Sequence, residues 1–189
     1  MSTNERILSP FTLPNGTELK NRLLMAPMTT CTGYYDGTVT SELVEYYRAR
    51  AGSIGTIIVE CCFVDDLGLA FPGAIGIDND EKIAGLAKIA DAIKSKGSKA
   101  LLQIYHGGRM VDPKLIGGRT PVGPSAVAAP RDGAATPVAL TSEEVEGMIG
   151  KFGEAVRRAI QAGFDGVEIH GANTYLIQQF YSPNSNQRD

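Results

Sequence analysis

The sequence predicts an α/β fold built on a parallel sheet. Three segments repeat one plan, in which a helix ends in glycine and a short, almost wholly apolar strand follows: RARAGSIGTIIVE, IKSKGSKALLQIYH and IQAGFDGVEIH. Glycine readily takes the left-handed conformation that follows a helix C-terminus. Strands that are apolar on both faces are typical of a parallel sheet covered by helices. We therefore expect strands and helices to alternate along the chain.

Four βα-type units are expected, preceded by a hairpin. The strands lie near Arg22–Ala26, Thr56–Glu60, Ala100–Tyr105 and Gly166–Ile169. The helices span roughly Ser41–Ala51, Asp80–Ser95 and the stretch from Thr141 to the glycine at 163. Before them, Asn15–Gly16 stands between two short alternating runs, which predicts a two-residue hairpin turn.

The third helix has the clearest pattern. Thr141 with Glu144 three residues later forms a capping-box sequence. Apolar residues then recur at the spacing of one helical face, namely Val145, Met148, Ile149, Phe152, Val156, Ala159 and Ile160. We expect this face to pack on the sheet.

Composition excludes several classes of protein. The chain has 189 residues, 43% of them apolar, which suits one or at most two globular domains. Its 18 basic and 21 acidic residues are interspersed, and this argues against nucleic acid or an anionic membrane as a partner. The N-terminus lacks the apolar core of a signal peptide, and no apolar run reaches the ~18 residues of a membrane span. We expect a cytoplasmic protein.

The cysteines and histidines do not predict a metal site. Cys31, Cys61 and Cys62 form no CxxC pair and have no metal-type spacing with the two histidines, His106 and His170. We expect neither a structural metal nor a disulfide.

The stretch from residue 110 to 140 is rich in proline, glycine and alanine. It is too long for an ordinary connection in a compact domain, and loops of this length are usually functional or disordered. Two interpretations stay open, a surface excursion and a wall of the functional site.

Periodicity leaves two architectures open. An open doubly wound sheet is weakened because the turn after the first strand, APMTTCTGYYDG, contains no GxGxxG and begins with Ala-Pro. A (β/α)8 barrel needs about 250 residues, so this chain would supply about its first half.

Polar residues follow the predicted strands, where ligands bind in both architectures. These residues are Thr29 and Thr30, Glu60, then Gln103, His106 and Arg109, and finally Glu168, His170, Asn173 and Tyr175. If the chain turns helically after the last strand, His170 and Asn173 share one face and can donate to a single oxygen atom. Tyr175 is close enough to supply a proton. We expect Glu60 and Glu168 to form structural ion pairs, with Arg22 as a candidate partner.

Three motifs, in the same order and with similar spacing, resemble the old yellow enzyme family of FMN-dependent ene reductases. They are NRLLMAPMTT, LLQIYHGGR and GVEIHGANTYLIQQFYSPNSNQRD. The resemblance implies a TIM barrel, of which residues 1–189 form the N-terminal half of a single FMN-binding domain with the C-terminal half, and its phosphate anchor, absent.

The resemblance also implies roles for the strand-end residues. The cofactor-binding residues are Ala26, Pro27, Met28, Thr29, Cys61 and Gln103. His170 and Asn173 grip the substrate carbonyl and Tyr175 is the proton donor. The implied reaction uses NAD(P)H to reduce FMN, which then passes hydride to the activated C=C bond of an α,β-unsaturated carbonyl compound.

We expect the 189-residue chain alone to be inactive and to bind FMN poorly. Two alternatives stay open. One is a non-catalytic half-barrel that pairs with itself, as a homo-oligomer, or with a complementary half. The other is the N-terminal part of a flavoenzyme of the dienoyl-CoA reductase or amine dehydrogenase type.

Overall fold

The fold, taken from a computed structural model that describes residues 3–189, is a four-stranded parallel sheet flanked by helices. In spatial order the sheet contains β3 (Leu24–Met25), β4 (Thr56–Phe63), β5 (Lys99–Tyr105) and β8 (Gly166–Ile169). The helices are α1 (Thr3–Leu8), α2 (Ser41–Arg50), α3 (Ile83–Lys94), α4 (Ser142–Gln161) and α5 (Leu176–Tyr181). Two small pairs of strands complete the fold, β1 (Phe11–Thr12) with β2 (Glu18–Leu19) and β6 (Val122–Gly123) with β7 (Val138–Ala139). The predicted alternation of strand and helix is confirmed.

The longest strand, β4, runs three residues beyond its predicted end. Its eight residues are all buried, because β3 and β5 pair with it on either side and helices cover it. Phe63 still pairs with Tyr105, so the ladder continues past Glu60. By contrast β3 has only two residues and is shorter than predicted.

A bulge interrupts the pairing of β4 with β5. Val59 lies opposite Leu102 and Cys62 opposite Ile104, so Glu60 and Cys61 together face the single residue Gln103. An extra residue of this kind breaks the alternation of side chains and redirects them.

The main core lies between the sheet and helices α2, α3 and α4. Its fully buried members include Leu43, Tyr47, Ile57, Val59, Leu86, Ile89, Ile93, Leu102, Ile104, Ala155 and Ala159. On α4, Ala155 and Ala159 pack inward, whereas Ile149 and Ile160 are 61% and 64% exposed. The apolar stripe predicted for α4 is therefore wider than the face that packs against the sheet in residues 3–189.

The N-terminal hairpin is confirmed, but its predicted two-residue turn is wrong. The loop between the Leu13 and Thr17 pair has three residues, closed by a hydrogen bond from Gly16 N to Leu13 O of 2.9 Å. Pro14 sets the first corner, and Gly16 has a φ of 85°. A type I turn followed by a left-handed glycine is the usual three-residue solution.

The proline-rich segment from 110 to 140 is folded against the domain. Val122 pairs with Val138 in a short parallel ladder. The buried guanidinium of Arg109 donates to the carbonyl oxygens of Val127 and Ala128, both at 3.2 Å. Within residues 3–189, no helix combines the length and the apolar character that crossing a bilayer requires.

The capping box at the start of α4 generates a stability prediction. Thr141 accepts from the backbone N–H of Glu144 at 3.2 Å, and the Glu144 carboxylate accepts from Thr141 N at 2.7 Å. We expect Thr141→Ala to lower the free energy of unfolding by about 1 kcal/mol, because the first turn loses an acceptor. Urea unfolding measures this loss. Thr141→Ser is the matched control and should retain most of the stability; an equal loss in both variants would contradict the capping role.

Candidate active site

A cavity of about 560 Å³ opens at the carboxyl ends of the four parallel strands. The residues that line it are Pro27, Met28, Thr29, Cys61, Gln103, Glu168, Ile169, His170, Gly171, Ala172, Asn173 and Tyr175. Eight of the nine predicted site residues are among them. The ninth, Ala26, is exposed and does not line the cavity. The structure thus brings these side chains together, while their roles stay predictions.

The turn after β3 forms one wall of the cavity. The hydroxyl of Thr29 and the thiol of Cys61 lie 3.2 Å apart, which joins this turn to the bulge in β4. Met28 leaves 64% of its surface exposed beside them. Burial raises the pKa of Cys61 to about 11, so this thiol is neutral at physiological pH. A neutral thiol is a poor nucleophile, which argues against covalent catalysis by Cys61.

Behind this wall, the fully buried carboxylate of Glu60 holds the turn in place. It accepts hydrogen bonds from Thr30 N at 3.2 Å, Thr30 Oγ1 at 3.0 Å and Tyr47 Oη at 3.2 Å. Tyr47 Oη in turn accepts from Glu60 N at 2.8 Å. Because three donors converge on one carboxylate, α2, the turn and the bulge are tied together.

The predicted ion pairing of Glu60 and Glu168 with Arg22 is wrong. Arg22 donates to the Arg6 and Ser9 carbonyl oxygens, both at 2.9 Å, and lies over the ring of Phe11. It therefore belongs to the N-terminal segment rather than to the site. The buried carboxylate of Glu60 is satisfied by neutral donors instead.

The amide of Gln103 is oriented by a neighbouring strand. Gln103 on β5 and Glu168 on β8 are register partners, and Gln103 Nε2 donates to Glu168 Oε1 at 2.7 Å. This bond leaves the carbonyl oxygen and one N–H of the amide available for a ligand. The sequence analysis did not predict that Glu168 orients Gln103. The pattern that could have indicated it is a polar residue near the end of each of two adjacent apolar strands.

His170 is a neutral hydrogen-bond donor. Its Nδ1 atom accepts from Ala172 N at 3.2 Å, which leaves the proton on Nε2. Burial lowers the pKa of His170 below its usual value, although Glu168 opposes the shift. At neutral pH the ring therefore offers one N–H and no positive charge.

Asn173 reaches the cavity through a strained turn, not through a helix. Asn173 and Thr174 have φ values of 54° and 61°, and α5 begins only at Leu176. The expectation that His170 and Asn173 share a helical face is therefore wrong. Left-handed backbone is tolerated by asparagine but is unusual for a β-branched residue such as Thr174.

Tyr175 stands among aromatic rings with its hydroxyl protonated. Its ring centroid lies 4.9 Å from that of His170, 5.2 Å from Tyr105 and 6.3 Å from Phe71. Burial raises the pKa of Tyr175 to about 12. The hydroxyl keeps its proton at neutral pH and is available as a donor.

The residues present fit the flavin ring that the resemblance implies. An isoalloxazine ring has apolar faces and a polar edge of alternating donors and acceptors. The cavity offers the apolar surfaces of Pro27, Met28 and Ile169, and the Thr29 hydroxyl and Gln103 amide as polar partners. Among residues 3–189, no group of three or more His, Cys, Asp or Glu side chains is placed to hold a metal ion.

Comparison with known proteins identifies relatives along almost the whole chain. Residues 6–189 match the NADH:flavin oxidoreductase / NADH oxidase family. NADH:fumarate oxidoreductase of Klebsiella pneumoniae (strain 342) is 88% identical over 189 residues, which are 100% of this chain and 20% of that protein. NADH:acrylate oxidoreductase of Vibrio harveyi is 59% identical over 184 residues, 97% of this chain and 18% of that protein. The chain thus spans about a fifth of the length of these two relatives.

The structural likeness decides between the two architectures that periodicity left open. The old yellow enzyme from Trypanosoma cruzi superposes with a TM-score of 0.90 at 34% identity, over 99% of this chain and 56% of that protein. The sheet and its helices are therefore part of a (β/α)8 TIM barrel, as the resemblance implied, and the doubly wound sheet is excluded.

The buried Glu60 network predicts a pH dependence of stability. Burial raises the pKa of Glu60 above its ordinary value of 4.5, against the hydrogen bonds from Thr30 and Tyr47. The folded state then binds more protons than the unfolded state between the two pKa values, so the free energy of unfolding falls as pH rises through that window. Glu60→Gln cannot titrate, and we expect this variant to lose that fall.

Urea unfolding between pH 4.5 and 8 measures the slope. Glu146→Gln, which removes an exposed carboxylate from α4, is the control and should keep the wild-type slope. Equal slopes in the wild-type protein and Glu60→Gln would contradict the shifted titration of Glu60.

Proposed function

Because the chain belongs to the NADH:flavin oxidoreductase / NADH oxidase family, we propose that its protein reduces the activated C=C bond of α,β-unsaturated carbonyl compounds with NAD(P)H. Residues 1–189 form the N-terminal half of one FMN-binding barrel domain and are inactive alone. The observation that carries the proposal is the meeting of two neutral donors, His170 and Asn173, with a protonated Tyr175 at one cavity.

FMN is the cofactor of this family and NAD(P)H its reductant. When bound, FMN supplies the hydride chemistry. Pro27, Met28, Thr29 and Cys61 would hold its ring, and the amide of Gln103 would bind its polar edge. Glu168 keeps that amide in one orientation, because the hydrogen bond between them joins register partners on adjacent strands.

His170 and Asn173 bind the carbonyl oxygen of the substrate. His170 and Asn173 both line the cavity, and each offers an N–H donor that carries no charge. Negative charge develops on the oxygen as the alkene is reduced, so donors that are already in position lower the energy of the transition state.

Tyr175 delivers the proton that completes the reduction. Its hydroxyl remains protonated because burial raises its pKa, and the surrounding rings of His170, Tyr105 and Phe71 limit the directions it can take. A positioned phenol of this kind acts as a general acid.

The part of the cavity that residues 3–189 line favours a substrate with a neutral carbonyl group. None of the residues that line it in the described chain is arginine or lysine. Carboxylates are usually bound by bidentate arginine or by lysine. A ketone, an aldehyde or the carboxamide of a nicotinamide therefore suits His170 and Asn173 better than a dicarboxylate does.

A second candidate function follows because these donors suit a neutral carbonyl group better than a carboxylate. The two relatives named for fumarate and acrylate are about five times as long as this chain, whereas it covers about half of the old yellow enzyme. In this candidate the cavity serves NADH oxidation, and an unsaturated carboxylate is reduced in another part of the longer protein. The two candidates differ in whether Tyr175 takes part in reduction of the final acceptor.

Tyr175→Phe tests the proton donor. In the protein that contains this chain, we expect the variant to slow reduction of an enone such as cyclohexenone by about 10²-fold, because the general acid is lost. Reduction of the bound flavin by NADH should be unchanged. Stopped-flow absorbance separates the two half-reactions.

Tyr181→Phe is the matched control, since Tyr181 on α5 is 84% exposed and far less confined. An equal loss in both half-reactions would refute Tyr175 as the donor. NADH-dependent fumarate reduction that survives Tyr175→Phe, without any wild-type enone reduction, would support the second candidate.

His170→Ala tests the oxygen site. We expect its affinity for 4-hydroxybenzaldehyde, a phenol that resembles the reacting enolate, to fall about tenfold, the value of one hydrogen bond to a charged group. Spectral titration of the FMN-loaded protein gives the dissociation constant. His170→Asn retains an N–H donor and should lose less. Unchanged affinity in His170→Ala would show that the oxygen lies elsewhere.

A further inference from the structure

The turn that carries Asn173 is unfavourable in isolation and must be held by its surroundings. Among the described non-glycine residues, positive φ values occur at Asn173, Thr174 and Cys31. Two of the three are therefore consecutive and lie at the edge of the cavity. Conformations of this kind persist only where neighbouring groups over-determine them.

Two glutamine side chains of α5 bond this turn: Gln178 Oε1 accepts from Thr174 N, and the buried Gln179 also links the turn to a second loop. Gln179 is 1% exposed, and its Nε2 atom donates to Thr174 O at 2.6 Å and to Gly107 O at 3.1 Å. Its Oε1 atom accepts from Arg109 N at 3.1 Å. The amide thus joins the strained turn to the loop that follows β5.

The β5 loop is shaped around this amide. Gly108 has a φ of 57°, and a Cβ atom there would lie 2.3 Å from Gln179 Oε1. Only a glycine allows the loop backbone to approach so closely. The backbone N–H of Arg109 donates to the amide oxygen, so backbone atoms of the β5 loop orient the amide.

An apolar residue of similar size would fill this position but would leave Thr174 O and Arg109 N without their partner, whereas Gly107 O would keep the hydrogen bond from Met110 N. The buried Arg109 N would then be an unsatisfied donor, and the turn, no longer held at Thr174 O, would relax toward a less strained conformation. Because Thr174 follows Asn173 directly, relaxation of this turn moves the Asn173 amide away from the ligand oxygen.

We propose that Gln179 is a positioning residue: its amide holds the left-handed Asn173–Thr174 turn and thereby directs Asn173 at the carbonyl oxygen of the ligand. The inference rests on the proposed function. It assigns Gln179 no contact with the ligand, because Gln179 does not line the cavity.

A rescue experiment separates this role from general packing. Gln179→Met keeps an unbranched side chain but removes the amide. Thr174→Gly lowers the energy of the left-handed backbone conformation at this position. The Thr174 side chain does not line the cavity, so its removal takes no contact from the ligand. If Gln179 acts by holding the turn, Thr174→Gly should restore what Gln179→Met loses.

The measurements are the dissociation constants of 4-hydroxybenzaldehyde and of FMN, by spectral titration, in the protein that contains this chain. We expect Gln179→Met to bind the phenol about tenfold more weakly, as the loss of one hydrogen bond from Asn173 requires. Its FMN affinity should stay within about twofold of the wild-type value. Gln179 does not line the cavity, and sites that share no partner affect each other little. The double variant Gln179→Met with Thr174→Gly should regain most of the phenol affinity, and Thr174→Gly alone should match the wild type.

Each other outcome overturns the inference. Unchanged phenol affinity in Gln179→Met means that the amide does not position Asn173. Loss of folding or of FMN in Gln179→Met, without recovery in the double variant, means that Gln179 supports the fold in general. If the wild-type protein binds FMN but no phenol, the oxygen site of the proposed function is itself wrong, a result that differs from failure of the variant alone.

Discussion

The structure depends on one irregularity, the bulge at which Glu60 and Cys61 share a single partner, Gln103. The extra residue lets Glu60 turn toward α2 while Cys61 faces the cavity. The buried Glu60 carboxylate then collects hydrogen bonds from Thr30 and Tyr47. A regular strand would place these side chains on the wrong faces, because alternation has a period of two.

The hydrogen-bond donors of the cavity are uncharged, and the Glu168 carboxylate that also lines it accepts a hydrogen bond from Gln103. Burial lowers the pKa of His170 and raises those of Cys61 and Tyr175, so all three groups are neutral near pH 7. Desolvation always favours the uncharged form, whichever direction the pKa moves. Neutral donors that are already in position suit a reaction in which negative charge appears only as bonds change.

Much of the fold was predictable from local pattern. The strands of the sheet, the helix that begins after Thr141 and the hairpin near Asn15 follow from apolar spacing, a capping box and turn residues. The predictions that were wrong also have physical reasons. The hairpin loop is longer because Pro14 and Gly16 together favour a type I turn with a left-handed third residue, and the segment after β8 is not helical because Asn173 and Thr174 leave the right-handed region.

By itself, the sequence determined which residues gather at the strand ends, because apolar periodicity and family motifs are properties of neighbouring positions. Only the tertiary structure decided what orients them. Gln103 meets Glu168 across 65 positions, Thr30 meets Glu60 across 30, and Gln179 meets Gly107 across 72. Such hydrogen bonds depend on strand register and on one inserted residue, and neither of these produces a periodic pattern in the sequence.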